Sequence, residues 1–192
     1  MSARRKAALA LALLLASSGA PGVEIGATAP AFSVTPVEGP AFDFGEATRA
    51  HKAVVVIFLS VVCPYSNYSE GHLRELDARY GPDDVLFVGI DSNRTETADE
   101  LALHARKSRL AFPLMKDDAN RVADLLGARA TPEAFLFDQG RRLRYRGRVQ
   151  SKQGSTELAD ALAAVVAGRE VRTKVAKAFG CTIVREPARE RD

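Results

Sequence analysis

Two cysteines, Cys63 and Cys181, are the thiols of this 192-residue chain. Cys63 stands just past a run of apolar, largely β-branched residues, Val54 to Leu59, and is followed by Pro64. Proline suits the first turn of a helix, where its missing N–H would have no partner anyway. A sulfur at a strand–helix junction faces the free N–H groups and the positive end of the helix dipole. Both favour thiolate over thiol, and the thiolate is the nucleophile. The alternative is a buried, inert cysteine at a strand end. The histidines offer less, with His51 and His72 isolated and His104 on the surface of a helix. No Cys-x₂₋₄-Cys or His-x₃₋₅-His spacing supports a metal, so neither metal nor cofactor is expected.

The elements that must position Cys63 can be read from periodicity. Val54 to Leu59 has the continuous apolar character of a strand buried on both faces. Pro64 to Tyr80 is a helix with Leu73, Leu76 and Tyr80 at helical spacing, stopped by Gly81-Pro82. Val85 to Ile90 is a second buried strand. Glu96 to Leu110 is a helix, Phe112 to Met115 a short extended stretch, and Asp118 to Leu126 a helix ending at Gly127. Ala134 to Phe137 and Arg142 to Arg148 form an antiparallel hairpin about Asp138-Gln139-Gly140. Arginines 142, 144, 146 and 148 share one face of it and read as a solvated edge. Ser155 to Ala167 is an amphipathic helix, with Ser155 and Gly168 as caps. Val23 to Phe44, rich in Pro, Gly and Ala, reads as an extended leader. The order predicts an α/β domain in which a mixed central sheet is flanked by helices on both faces.

Before the domain, Arg4, Arg5 and Lys6 precede an apolar run from Ala7 to Ala16 and the small residues Ser17 to Ala20. That is the pattern of a signal peptide over residues 1–20, with an uncleaved anchor as the alternative. Export would place the cysteines where disulfides persist. The remaining chain divides into a domain over 24–168 and a C-terminal tail over 169–192 that carries Cys181. A net charge of +3, with basic residues spread over both ends and the hairpin, gives no aromatic-interleaved basic stripe. Nucleic acid is therefore not an expected partner.

Several motifs taken together carry a resemblance. Gly26-x-x-Ala29-Pro30-x-Phe32, Val61-Val62-Cys63-Pro64 and Ala130-Thr131-Pro132 before a strand resemble the redoxin branch of the thioredoxin superfamily, which groups alkyl-hydroperoxide-reductase-like proteins with exported thioredoxin-like reductases. Cys63-Pro64-Tyr65-Ser66-Asn67, Thr131-Pro132-Glu133-Ala134-Phe135, Tyr145-Arg146-Gly147-Arg148 and Gly180-Cys181-Thr182-Ile183 are similar to a group of bacterial redoxin-domain proteins. The resemblance runs from about Ile25 to Gly168 and implies a thioredoxin-like fold. It also implies a cis Thr131–Pro132 bond beside Cys63, where the Thr131 backbone could pair with an extended substrate segment.

The departures are as informative. The second cysteine of a thioredoxin-type site would stand at Ser66. Of the peroxidatic pattern, Ser60 replaces the threonine and Val56 the proline, while the arginine aligns with Pro132. Glu133 could raise the Cys63 thiol's pKa or accept its proton. Cys181, thirteen positions after Gly168, has about 40 Å of extended reach and can contact Cys63. It could act as resolving thiol, form a permanent structural bridge, or stay unpaired. The expected activity is exported thiol–disulfide oxidoreduction on protein or small-molecule thiols and disulfides. Reduction of hydroperoxides by a thiol peroxidase, and a non-enzymatic partner- or metal-binding scaffold, remain as alternatives.

Overall fold

Ala53–Leu59 is buried along its whole length because it is the middle strand of a five-stranded sheet. In this computed structural model, which describes residues 22–150, 154 and 156–187, the strands are β1 (Ser33–Val34), β2 (Phe42–Asp43), β3 (Ala53–Leu59), β4 (Val85–Asp91), β5 (Leu114–Lys116), β6 (Ala130–Thr131), β7 (Glu133–Asp138), β8 (Leu143–Gly147) and β9 (Cys181–Thr182). The helices are α1 (Phe44–Ala50), α2 (Pro64–Tyr80), α3 (Ala98–Ser108), α4 (Arg121–Leu126) and α5 (Glu157–Val166). The central sheet runs β5-β4-β3-β7-β8. β3 is parallel to β4 and antiparallel to β7. The sheet is therefore mixed, with the hairpin β7–β8 at one side as its sequence implies. The signal-peptide pattern and the Ser155 cap lie outside the described residues.

Side-chain alternation along β3 divides the core. Val55, Ile57 and Leu59 pack with Leu73 and Leu76 of α2, Leu101 of α3, and Leu158 and Leu162 of α5. Val54, Val56 and Phe58 pack with Phe44 of α1 and Val122 and Leu126 of α4. Each fully buried leucine or phenylalanine here is worth about 1.5–3 kcal/mol relative to exposure. Helices on both faces thus leave the ends of the strands as the place for chemistry.

Five expectations need correction. Val23 to Phe44 is no mere leader. It contributes β1 and β2, buries Val23, Ala29, Val34 and Phe42, and leads into α1, which the sequence reading missed. α1 has seven residues, too few for a visible period. It forms because the Asp43 side chain accepts from Glu46 N at 2.7 Å and Phe44 stacks on Phe32 at 4.6 Å. The helix expected from Glu96 begins later, at Ala98, since Thr97 and Glu100 make a reciprocal capping box. Glu96 is thereby freed from the helix. Likewise α4 begins at Arg121, because the Asp117 carboxylate accepts from Val122 N and Ala123 N at 3.0 and 2.9 Å.

The arginine face of β8 is not simply solvated. Arg144, Arg146 and Arg148 pair with Asp138, Glu133 and Glu157 at 3.1, 3.3 and 3.0 Å. These acidic partners come from β7 and α5, which the hairpin sequence alone cannot reveal. His104 is half-buried rather than on the surface, its Nε2 lying 2.6 Å from Glu70 Oε1 across α2 and α3.

The tail folds back on the domain. Arg146 N donates to Lys174 O at 2.9 Å and Ala176 N donates to Arg146 O at 3.0 Å. Gly147 permits this approach, since a β-carbon there would stand 1.9 Å from Ala176 O. Val171, Ala176 and Ile183 are buried as a result. Among the described residues no helix is long and apolar enough to cross a membrane.

Candidate active site

Cys63 is the N-cap residue of α2, with Pro64 in the first turn. Its backbone N–H is received by Ser60 Oγ at 3.1 Å, and its carbonyl accepts from Asn67 N at 3.1 Å. The loop is thus fixed on both sides of the sulfur. The Cys63 side chain is turned inward, leaving the residue 1% exposed. Above it lies Cys181, with the two sulfurs 2.7 Å apart and both free thiols. Closing them to a disulfide of about 2.05 Å needs a shift of less than about 1 Å.

Cys181 reaches this place because the tail is a strand there. β9 pairs antiparallel with β6, placing Cys181 opposite Thr131 and Thr182 opposite Ala130. The Thr131–Pro132 bond is cis. The Thr131 carbonyl oxygen lies 3.2 Å from Cys63 Sγ and accepts its proton in the neutral thiol. One backbone segment therefore borders the thiol of Cys63 and carries the strand that delivers Cys181. Gly180 makes the approach possible, because a β-carbon there would stand 1.9 Å from Thr131 O.

The two thiols are shifted in opposite directions. Burial pushes the Cys63 thiol up, but hydrogen bonds from the Cys181 thiol, the Ser66 N–H and the Thr131 side chain outweigh it and hold the thiol below its ordinary value. Cys181 is pushed up to about 11, first because its proton is shared with Cys63 and then by burial and the nearby negative charge. Of the two sulfurs, Cys63 is therefore the one that ionises first, and its thiolate would receive a hydrogen bond from the Cys181 thiol. A low-pKa sulfur is also the better leaving group in disulfide exchange.

The other residues singled out in the sequence sit as follows. The Ser66 hydroxyl accepts from Ser60 N at 3.2 Å, so the place of a second local cysteine is taken by a loop brace. Ser60 Oγ receives the Cys63 N–H and donates to Glu96 Oε1 at 2.6 Å. Glu133 accepts from Arg129 N at 2.8 Å and pairs with Arg146, so its carboxylate braces the turn before Pro132.

Two buried carboxyl groups escaped the sequence reading. Glu96 receives both Ser60 Oγ and Val61 N at 2.6 Å. Asp91, at the end of β4, accepts from Asn93 N at 2.8 Å and Lys116 Nζ at 3.0 Å. Burial, followed by the hydrogen bond and negative charge of Glu96, pushes Asp91 up to about 7. Both belong to segments with no motif, and only the fold brings Glu96 under the Cys63 loop. Among the described residues no group of three or more His, Cys, Asp or Glu is placed to hold a metal ion.

Similar structures have this architecture. A hypothetical protein of Sinorhizobium meliloti matches with 27% identity and a TM-score of 0.79, covering 88% of this chain and 98% of its own. An uncharacterised conserved protein of Geobacillus kaustophilus matches with 27% identity and a TM-score of 0.79, covering 86% and 94%. A secreted Mycobacterium tuberculosis disulfide oxidoreductase, homologous to E. coli DsbE, shares the fold at 21% identity and a TM-score of 0.57, covering 69% and 95%. No curated protein matches the sequence. The family model described as AhpC/TSA matches residues 25–146, from the first motif through the central sheet to β8. With that match over most of its length and a thioredoxin-like mixed sheet, the chain belongs to the AhpC/TSA family of redoxins.

Proposed function

We propose that this redoxin is an exported thiol–disulfide oxidoreductase, with Cys63 as nucleophile and Cys181 as resolving thiol. The observation that carries the reading is the 2.7 Å sulfur pair, in which Cys63 is the thiol of lower pKa. The Cys63 thiolate attacks one sulfur of a substrate disulfide, breaking its S–S bond and releasing one substrate thiolate. Cys181 then gives up its proton and attacks the Cys63 sulfur, releasing the second substrate thiolate and leaving an intramolecular disulfide. The substrate is thereby reduced and the protein oxidised; an external dithiol reverses the change. No cofactor takes part. Export is supported by the charged, apolar and small-residue pattern of residues 4–20, which would keep such a disulfide in an oxidising compartment.

Two other readings fit less well. A thiol peroxidase would use the Ser60 hydroxyl toward a peroxide at the sulfur, yet here the hydroxyl proton is given to Glu96 at 2.6 Å. A pure binding scaffold gives no reason for two thiols to share a proton. The test is turnover of glutathione disulfide with an external dithiol as the reductant. Cys63→Ser should abolish turnover, and Cys181→Ser should leave a glutathione adduct on Cys63. Undiminished turnover in Cys63→Ser would overturn the proposal.

A further inference from the structure

Of the four arginines that alternate along the hairpin, Arg144, Arg146 and Arg148 meet carboxylates, but Arg142 meets none among the described residues. Its Nη1 donates to the Gly26 carbonyl at 3.2 Å. Arg142 lines a cleft of about 400 Å³ with Lys52, Arg144 and Arg169. Lys52 and Arg169 are likewise exposed and without an ion pair among the described residues. The carboxylate in the lining, Asp138, is already engaged: it accepts from Arg144 Nη1 at 3.1 Å and from Gly140 N and Arg142 N, each at 3.0 Å. Glu170, next to Arg169 in the chain, pairs with Lys174 at 3.1 Å and only loosely with Arg144, at 3.9 Å. Asp84, whose carbonyl receives Lys52 N, turns its carboxylate to His51 at 2.8 Å. Lys52, Arg142 and Arg169 therefore border one concave surface with no counter-charge of their own. Apolar walls, here Val165 and Val166 at the end of α5, focus such a field. Lys52 precedes β3 and Asp138 pairs with Ala53, so the cleft lies at the opposite end of the central strand from Cys63, about 20 Å along it. The thiol chemistry makes no use of it.

We propose that this cleft is a binding site for a multiply charged phosphate group. A carboxylate is planar and satisfies one arginine fork, whereas phosphate oxygens fan out and meet cations from several sides. Arg142 and Arg169 supply donors in the fork geometry that phosphate accepts, and Lys52 adds a compact point charge. Three unpaired cations call for more than one negative charge, which favours a pyrophosphate or a phosphomonoester over a phosphodiester. Such a group has two sources, a free oligophosphate or the headgroup of a lipid such as phosphatidic acid, and the chemistry at the cleft is the same for both.

The full chain is titrated calorimetrically with inorganic pyrophosphate at low salt. It is also sedimented with vesicles of phosphatidylcholine carrying phosphatidic acid, with phosphatidylcholine alone as the blank. One-to-one binding that saturates below about 1 mM pyrophosphate is expected. The double variant Lys52→Gln with Arg169→Gln should weaken it at least about tenfold, with the far-ultraviolet circular dichroism unchanged. Lys107→Gln with Arg121→Gln removes the same charge outside the cleft and should weaken it less than about twofold. Binding to the vesicles alone, with the same dependence on Lys52 and Arg169, would support the site and name the headgroup as its source. Binding to neither probe, or equal weakening by the two double variants, would overturn the proposal.

Discussion

Glu96 reaches back across 36 residues of chain to take the Ser60 hydroxyl proton at 2.6 Å, and with its other oxygen the Val61 N–H at 2.6 Å. Ser60 in turn receives the backbone N–H of Cys63. A buried carboxylate thus fixes the loop from which the reactive sulfur projects. The arrangement depends on Thr97, the N-cap that starts α3 one residue after Glu96 and so leaves that side chain free to turn inward.

Glu96→Gln keeps the size of this side chain but replaces one accepting oxygen with a donor that faces another donor. The reduced protein should lose about 1–3 kcal/mol, the range for leaving a buried polar group unpaired. Denaturant unfolding measures it. A loss below about 0.5 kcal/mol would show that the loop holds its place without the carboxylate.

Cys63 should ionise below the usual cysteine value of about 8.5. Thiolate absorbance against pH reads this, with Cys63→Ser as the blank. Because the Cys181 thiol donates to the thiolate, Cys181→Ala should move the midpoint upward, leaving burial less opposed. The sign for stability follows from the depressed value. The contribution of Cys63 to the reduced fold is present above the unfolded-state value and is lost as pH falls through the folded-state value. A midpoint unchanged by Cys181→Ala would mean that the shared proton does not exist.

Asp91 gives a pH signature of opposite sign. Its carboxyl is raised from 3.8 to about 7, by burial first and then by Glu96, so the folded state favours its protonated form. The stability this contributes is full below the unfolded-state value and is lost as pH rises through about 7. Asp91→Asn removes the titration. The difference in unfolding free energy between the two proteins should therefore change between about pH 4 and pH 7 and be flat above that window. A difference flat throughout would place the Asp91 carboxyl at its ordinary value.

The central strand, α2 and the Cys63-Pro64 junction were legible because each rests on a local pattern: an unbroken apolar run, helical spacing of Leu73, Leu76 and Tyr80, and a proline at the first turn. The motifs Thr131-Pro132 and Gly180-Cys181 were visible as words, but their meeting was not, since β6 and β9 are two-residue strands 50 residues apart in sequence. Gly147 and Gly180 each stood in a quoted motif, yet what they accommodate is another stretch of backbone, and a close approach leaves no trace in local sequence. α1 was hidden by its length, and Glu96 by its apparent place in a helix. What failed to show was mainly long-range contact.

Gly147 itself can be tested. It has φ of 143° and lies against Ala176, so an alanine there would meet the tail backbone. Gly147→Ala should cost at least about 1–3 kcal/mol and loosen the tail. Amide exchange at Ala176, whose N–H donates to Arg146 O, should quicken by at least about tenfold. Unchanged exchange and stability would show that the tail does not run along β8.

The pairing of Cys63 with Cys181 is the claim on which the functional reading depends, and one measurement reaches it directly. The reduced protein is exposed to glutathione buffers of graded redox poise, quenched with an alkylating agent, and mapped without reduction. The sulfurs at 2.7 Å should join as an intramolecular Cys63–Cys181 disulfide as the buffer becomes oxidising, and the Cys181→Ser chain should accumulate a glutathione adduct at Cys63 instead. A structural bridge would also close, but would stabilise the oxidised protein by about 4–5 kcal/mol and resist external dithiols. Absence of any intramolecular disulfide at every poise, with Cys181 freely alkylated throughout, would contradict the resolving role and with it the proposed reaction.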